Sequence, residues 1–180
     1  ESRENNDKPR QVNWRIYAKR SILCAGAIER SIAFGNNDRP GIMLASAVRA
    51  YTNRFAVATG DKVSVYTNND DGWETARDLT LQYIKVVAVI DSRSIKPVLR
   101  VPGAEIFMGT DVVDTKGRRA LKSIKLSNGK TIDCDSLAVS GGWNPNLHLT
   151  CHHRGVPKWN EEITSFIPDE LTPPGMSVAG

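Results

Sequence analysis

Three short polar side chains in a row, Thr67, Asn68 and Asn69, separate an apolar run, Lys62-Val-Ser-Val-Tyr66, from a segment that opens Asp70-Asp-Gly72. Hydroxyl and carboxamide groups at such a turn donate hydrogen bonds to phosphate oxygens, and the amino end of a following helix adds backbone donors. A second apolar run, Val86-Val-Ala-Val-Ile, ends at Asp91 and Ser92, with Asp91 19 residues past Gly72. A carboxylate there accepts hydrogen bonds from ribose hydroxyls and repels a phosphate carried on the same sugar. Asp70 and Asp71 oppose phosphate binding unless they face away or cap the helix, as acids at a helix start often do. Arg93 leaves three choices open: to pair with a 2′-phosphate, to neutralise Asp91, or to point to solvent. With the acid at the strand end itself, the chemistry expected is binding of NAD in preference to NADP.

The elements that must position these groups run strand, turn, helix, strand, the order of a Rossmann βαβ unit. In the usual G-x-G-x-x-G turn, the first glycine makes the turn tight, the second admits the pyrophosphate and the third lets helix and strand pack closely. Here those positions read Thr67, Asn69 and Gly72. Trp73, Ala76, Leu79 and Tyr83 recur at three- and four-residue steps and predict one helical face lying on a sheet. A unit of this outline that no longer binds anything is the competing reading.

Two further apolar runs stop at small residues, Ser21-Ile-Leu-Cys-Ala-Gly26 and Ser136-Leu-Ala-Val-Ser-Gly-Gly142, the second continuing as Trp143-Asn-Pro-Asn146. Small residues at a strand end let backbone approach a ligand, although such runs are also ordinary strand ends. Both flank the βαβ unit, so Gly26, Gly141, Gly142 and Trp143 are assigned to an FAD site distinct from the NAD site. That FAD site is expected to be incomplete here. The domain reading is 1–44 as part of an FAD-binding domain, 45–135 as an inserted NAD-binding βαβ domain with a β-meander, and 136–180 as the return to the first. The fold class expected is α/β and Rossmann-like: a parallel sheet with crossover helices plus a small antiparallel meander, within a larger architecture of two dinucleotide domains.

Elsewhere, residues 11–18 alternate Val12, Trp14 and Ile16 and predict a strand. Leu44, Val48, Tyr51 and Phe55 mark an amphipathic helix, and Glu105 to Met108 a short strand. Asn128-Gly129, after the alternation of residues 120–126, predicts a hairpin. The prolines Pro157, Pro168, Pro173 and Pro174 make the tail loop-rich, and residues 175–180 resemble the beginning of another strand. Both ends look like cuts in a longer polypeptide.

With 180 residues and 40% hydrophobic content the chain can bury a core, which excludes general disorder. The net charge of +4, from 24 basic and 20 acidic residues, is scattered; Lys19-Arg20 and Arg118-Arg119 are only pairs. No basic stripe interleaved with aromatics exists, which argues against nucleic acid as a partner. Cys24, Cys134 and Cys151 form no C-x-x-C and no disulfide framework, so a cytoplasmic location is expected, with Cys24 and Cys134 as small core residues. No run approaches the roughly 18 to 20 apolar residues of a membrane span. His148, Cys151, His152 and His153 are the nearest to a metal set, but adjacent histidines do not share one face of a regular element, and an exposed polar loop is the better reading. No nucleophile elbow stands out, and no catalytic residue is assigned.

Leu23-Cys-Ala-Gly-Ala-Ile-Glu-Arg30, Asn36-Asn-Asp-Arg-Pro-Gly-Ile-Met-Leu44, Thr67-Asn-Asn-Asp-Asp71 and Ser140-Gly-Gly-Trp-Asn-Pro-Asn146 together resemble the alpha subunit of heterotetrameric sarcosine oxidase over nearly the whole chain. The most specific parts are Gly35-Asn-Asn-Asp-Arg-Pro-Gly41 and the Thr-Asn-Asn-Asp-Asp turn; the Ala-Gly and Gly-Gly-Trp-x-Pro-Asn elements are shared with the wider pyridine nucleotide–flavin reductases. The resemblance implies the middle of an alpha subunit, in an enzyme that oxidatively demethylates sarcosine to glycine. It further implies NAD on the alpha subunit together with a folate-binding domain, FAD on a beta subunit, a covalent FMN where the two meet, and the other subunits as partners. This segment by itself is then expected not to be catalytic. Two other readings remain: a fragment of an NADH-dependent flavoprotein reductase, and a vestigial non-catalytic scaffold.

Overall fold

The computed structural model describes residues 11–95 and 99–179. In chain order its elements are β1 (Ser21–Leu23), β2 (Ala27–Glu29), β3 (Ile42–Leu44), α1 (Ala45–Phe55), β4 (Val63–Thr67), α2 (Asp70–Leu81), β5 (Val86–Asp91) and β6 (Glu105–Met108). There follow β7 (Val112–Lys116), β8 (Ser123–Leu126), β9 (Thr131–Asp133), β10 (Ser136–Ser140), β11 (Trp143–Pro145), a 3₁₀ turn at His148–Cys151, β12 (Lys158–Asn160), β13 (Ser165–Ile167) and β14 (Met176–Val178). They divide into two units, Ala27–Asn146 and the remainder on either side of it.

In Ala27–Asn146 a five-stranded sheet runs in the order β3-β10-β4-β5-β6, every pairing parallel. The near-continuous apolar runs of β4, β5 and β10 follow from cover on both faces, the usual situation of a parallel sheet. Alternate residues sort into two cores. Val63, Val65, Val89 and Ala138 pack with Ala45 and Val48 of α1 and Trp73, Ala76 and Leu79 of α2. Tyr66, Ala88, Ile90, Leu137 and Val139 pack with Val112, Ile124, Leu126 and Ile132 from the antiparallel meander β7-β8-β9. Asn128-Gly129 turns β8 into β9 as its type predicts, with Gly129 at a φ of 87°. The α/β fold class expected from the sequence, parallel sheet with crossover helices plus meander, is the one observed.

Three local expectations are corrected. The α2 face does not extend to Tyr83: the helix ends at Leu81, Tyr83 takes a left-handed φ of 61° and is 99% exposed. The cause is the helix stop. Tyr83 N donates to Thr80 O and Ile84 N to Leu79 O, and Ile84 rather than Tyr83 turns back onto the core. Residues 11–18 form no strand, and Val12, Trp14 and Ile16 are exposed. Alternation only permits a strand, which also needs an edge to pair with. Cys24 is exposed just beyond the three-residue β1, not a core residue; Cys134 is buried as expected.

The other unit holds a parallel pair, β1 with β14, and an antiparallel pair, β12 with β13, whose Trp159 and Phe166 meet edge to face at 5.1 Å. The strand expected near residue 175 is β14.

Candidate functional site

Parallel register aligns the carboxyl ends of the central strands: Ser140 of β10 lies beside Thr67 of β4, Thr67 beside Asp91 of β5, and Asp91 beside Met108 of β6. From β4 the chain proceeds outward through β5 and β6 in one direction, while β10 and β3 lie on the other side. Ligands of open α/β sheets bind outside the carboxyl ends at such a reversal.

The turn after β4 is tied down by its own side chains. Thr67 is buried; its Oγ1 donates to Asn69 O at 2.9 Å and accepts from Asn69 N at 3.1 Å. Asn69 is the N-cap of α2, its Oδ1 accepting from Asp71 N at 3.0 Å and Gly72 N at 3.4 Å, as short polar residues do at that position. Its Nδ2 donates across the sheet edge to Ser140 O and Oγ, each at 3.1 Å, and to Asn68 Oδ1 at 3.0 Å. Asn68 is exposed. The close packing expected of the third glycine exists at Gly72, where an added Cβ would lie 2.3 Å from Thr67 Oγ1.

The two acids of the first turn have different fates. Asp71 pairs with Arg49 of α1 at 3.0 Å, and the same arginine reaches Asp78 at 2.9 Å, joining the two helices. Asp70 faces solvent and pairs with Arg93 Nη2 at 2.8 Å. Asp91 is fully buried. Trp73 Nε1 donates to its Oδ2 at 2.8 Å, and Arg93 supplies Nη2 to Oδ2 at 2.8 Å with its backbone N and Nε to Oδ1 at 2.9 and 3.1 Å. Of the three fates open to Arg93, neutralising Asp91 is the one observed. These hydrogen bonds, Asp91's foremost, hold the guanidinium above its ordinary range. Ser92 adjoins this pair, its backbone N donating to Thr67 O at 3.1 Å.

Of the residues assigned to FAD, Gly141, Gly142 and Trp143 lie where β10 passes into β11, against β2. Gly141 N donates to Arg30 O and Arg30 N to Gly142 O, both at 2.8 Å, and Trp143 pairs with Glu29. A Cβ on Gly141 would stand 2.9 Å from Arg30 O, so the chain's own strand already demands the glycine. Gly26 belongs to the other unit, with open space around it and a φ of 67°.

Periodicity and spacing did not point to Ser140 as Asn69's partner or Trp73 as Asp91's. The Gly35-to-Gly41 segment likewise proves to be a clamp on the meander. Asn36 Nδ2 donates to Asp114 Oδ1 at 2.7 Å, Arg39 donates from Nε to Thr115 Oγ1 at 3.2 Å and from Nη1 to Gly117 O, and Thr115 Oγ1 donates to Asn36 O at 2.9 Å. Below the sheet Tyr66 donates its hydroxyl to Asp111 at 2.9 Å; burial and that carboxylate raise the phenol above its usual range. Burial likewise pushes the Cys134 thiol up to about 11, which keeps it protonated at neutral pH. Among the described residues no three His, Cys, Asp or Glu side chains come together as a metal site, and no helix is long and apolar enough to cross a membrane.

The fold is similar to that of solved oxidoreductase structures. Solved structures similar to it include an L-proline dehydrogenase from P. horikoshii (TM-score 0.70, 24% identity, 91% of this chain and 30% of that one). A second is an FAD-dependent pyridine nucleotide-disulphide oxidoreductase from Desulfovibrio vulgaris (TM-score 0.65, 14% identity, 92% of this chain and 46% of that one). No family model matches the chain. More particularly, the chain is homologous to a stretch of the sarcosine oxidase alpha subunits. It is 42% identical over 171 residues to sarcosine oxidase subunit alpha of Rhizobium meliloti (strain 1021), covering 93% of this chain and 17% of that protein. It is 37% identical over 175 residues to the subunit alpha of Corynebacterium sp. (strain P-1), covering 89% of this chain and 18% of that protein. The chain thus spans under a fifth of the length of these relatives.

Proposed function

We propose that this segment binds NAD at its β4–α2–β5 unit, with Thr67, Asn68, Asn69, Asp70 and Gly72 at the pyrophosphate turn and Asp91 and Ser92 at the ribose end. In the same reading Gly141, Gly142 and Trp143 contribute to an FAD site, and the segment works with other subunits in an oxidase that demethylates sarcosine to glycine. The observation that carries the reading is the alignment of Ser140, Thr67 and Asp91 at the strand-order reversal, with a polar turn opening a helix between them. Homology to alpha subunits of sarcosine oxidase supports the choice of enzyme.

The donors fit an anion in kind: the exposed Asn68 carboxamide and the amino terminus of a 12-residue helix. Asn69 Oδ1 already occupies Asp71 N and Gly72 N. Asp71 N and Gly72 N are the backbone amides that would hold a pyrophosphate at this helix start. Bound NAD would supply a nicotinamide able to accept or donate hydride; the residues here bind and orient it. Calorimetric titration of NAD into the wild type and Asn69→Leu tests the assignment. Weakening of about tenfold or more is expected from loss of a cap and its charge-assisted contacts, and an unchanged dissociation constant removes this turn from the site.

A further inference from the structure

We infer that the turn joining β7 to β8 is a docking surface for an acidic face of another subunit, with Lys116, Arg118, Arg119 and Lys122 as its contacts. The inference rests on the part of the reading above in which this segment works with other subunits. Residues 115–132 hold six lysines and arginines and no aspartate or glutamate, so the rest of the chain carries more acidic than basic residues. In the sequence these six stand as one pair and four singles; the hairpin gathers four of them at one end. Lys116 closes β7, Lys122 N donates to Lys116 O at 2.8 Å, and Arg118 and Arg119 lie on the turn between them. All four are exposed. Among the described residues none of the four holds an ion pair, whereas Lys125 stands opposite Asp114 and Lys130 pairs with Glu105. Four like charges on one turn repel each other and gain most from carboxylates that a partner brings.

The turn is held in shape from beneath. Leu121 is fully buried and its backbone N donates to Pro40 O at 2.8 Å, while Arg39 Nη1 donates to Gly117 O and Thr115 Oγ1 to Asn36 O. Gly117 takes a φ of 145°, and a Cβ added there would overlap Ala120 O, so the turn requires the glycine. The Gly35-to-Gly41 clamp thereby fixes where the four charges stand, and a surface already ordered loses little entropy on docking. The chemistry selects a protein as the partner. Residues 111–132 contain no aromatic side chain on which a base could stack. The exposed residues of the turn include no apolar side chain larger than that of Ala120, so nothing there enters a bilayer. Four cations on a single turn match a compact group of carboxylates, which arginine grips in pairs of hydrogen bonds, rather than the long track of a phosphate backbone.

The test measures association of the complete polypeptide that carries these residues with the subunits that purify with it. It compares wild type, the fourfold reversal Lys116→Glu/Arg118→Glu/Arg119→Glu/Lys122→Glu and the milder Arg118→Gln/Arg119→Gln, each checked for folding by circular dichroism. The reversal is expected to slow association by about tenfold or more at low salt. Most of that difference should vanish at about 1 M salt, where screening acts within about 3 Å. The neutral pair should give a smaller loss in the same direction. Carbodiimide treatment of the assembled wild type should join Lys116 or Lys122 to an aspartate or glutamate of another subunit. If the wild type assembles and the reversal leaves the association rate unmoved, or no such link forms, the inference falls and the multi-subunit reading stands. If the reversal abolishes binding to duplex DNA or to phosphatidylserine vesicles while assembly is unchanged, the partner is of another class and the inference is overturned. Should the fourfold variant not fold, the neutral pair and the crosslink decide. If the wild type associates with no other subunit, the multi-subunit reading is refuted, and this inference with it.

Discussion

Asp91→Ala should be among the most destabilising single changes at the sheet edge, although Asp91 stands in a turn-forming strand end rather than in an apolar core. It strips the acceptor from Trp73 Nε1, whose indole is 0% exposed, and an unsatisfied buried donor costs about 1–3 kcal/mol. It also releases the backbone N of Arg93, a hydrogen bond of about 1 kcal/mol, and an ion pair discounted to about 1 kcal/mol because Arg93 can rehydrate. The loss expected is about 3–5 kcal/mol. Arg93→Ala, which leaves the Asp91 charge buried with only Trp73 and one backbone amide, belongs in the same range, about 3–5 kcal/mol. Asp70→Ala removes only the exposed half of the network and should cost under about 1 kcal/mol. Urea unfolding of the three variants measures this, with midpoints compared at constant m. If Asp91→Ala costs no more than Asp70→Ala, the buried carboxylate does not hold Trp73 and Arg93 in the way described.

Gly72→Ala should destabilise by about 1–3 kcal/mol despite alanine's better helix propensity, because the new methyl group would lie 2.3 Å from Thr67 Oγ1; a neutral or stabilised variant in urea would show that β4 and α2 can separate. Asp114 is held below its ordinary 3.8 by Asn36 and by Thr115 N. A lowered folded pKa adds stability that is present above the unfolded value and lost as pH falls through the folded one. The stability gap between wild type and Asp114→Asn should therefore be constant from neutrality down to about pH 4 and close below it. A gap that does not change with acid would remove the Asn36–Asp114 clamp as its source.

What was legible in the sequence is local. Side chains alternate across a strand and recur every third or fourth residue in a helix, so Val63–Thr67, the body of Asp70–Leu81 and Val86–Asp91 could be read from spacing alone. Asn-Gly marked the β8–β9 hairpin because its left-handed φ is a local property. Asn69 stood at a turn before two acids, and its capping role was within reach of the same reasoning. The false strand at residues 11–18 and the overlong face at Tyr83 show the limit, since a ladder partner and a helix stop are set by what lies around the segment. Whether a polar side chain is spent inside the protein or kept for a ligand is decided at still longer range. Asn69 meets Ser140 across 71 residues of sequence only because β4 and β10 pair in parallel. Asp91 is saturated because α2 packs Trp73 onto the end of β5 while the chain beyond it folds Arg93 back onto the same carboxylate. The sequence by itself determined the order of strands and helices and which residue types stand at the sheet's carboxyl edge. Only the tertiary structure decided which of them face outward, because burial and hydrogen-bond saturation depend on neighbours that the chain brings in from elsewhere.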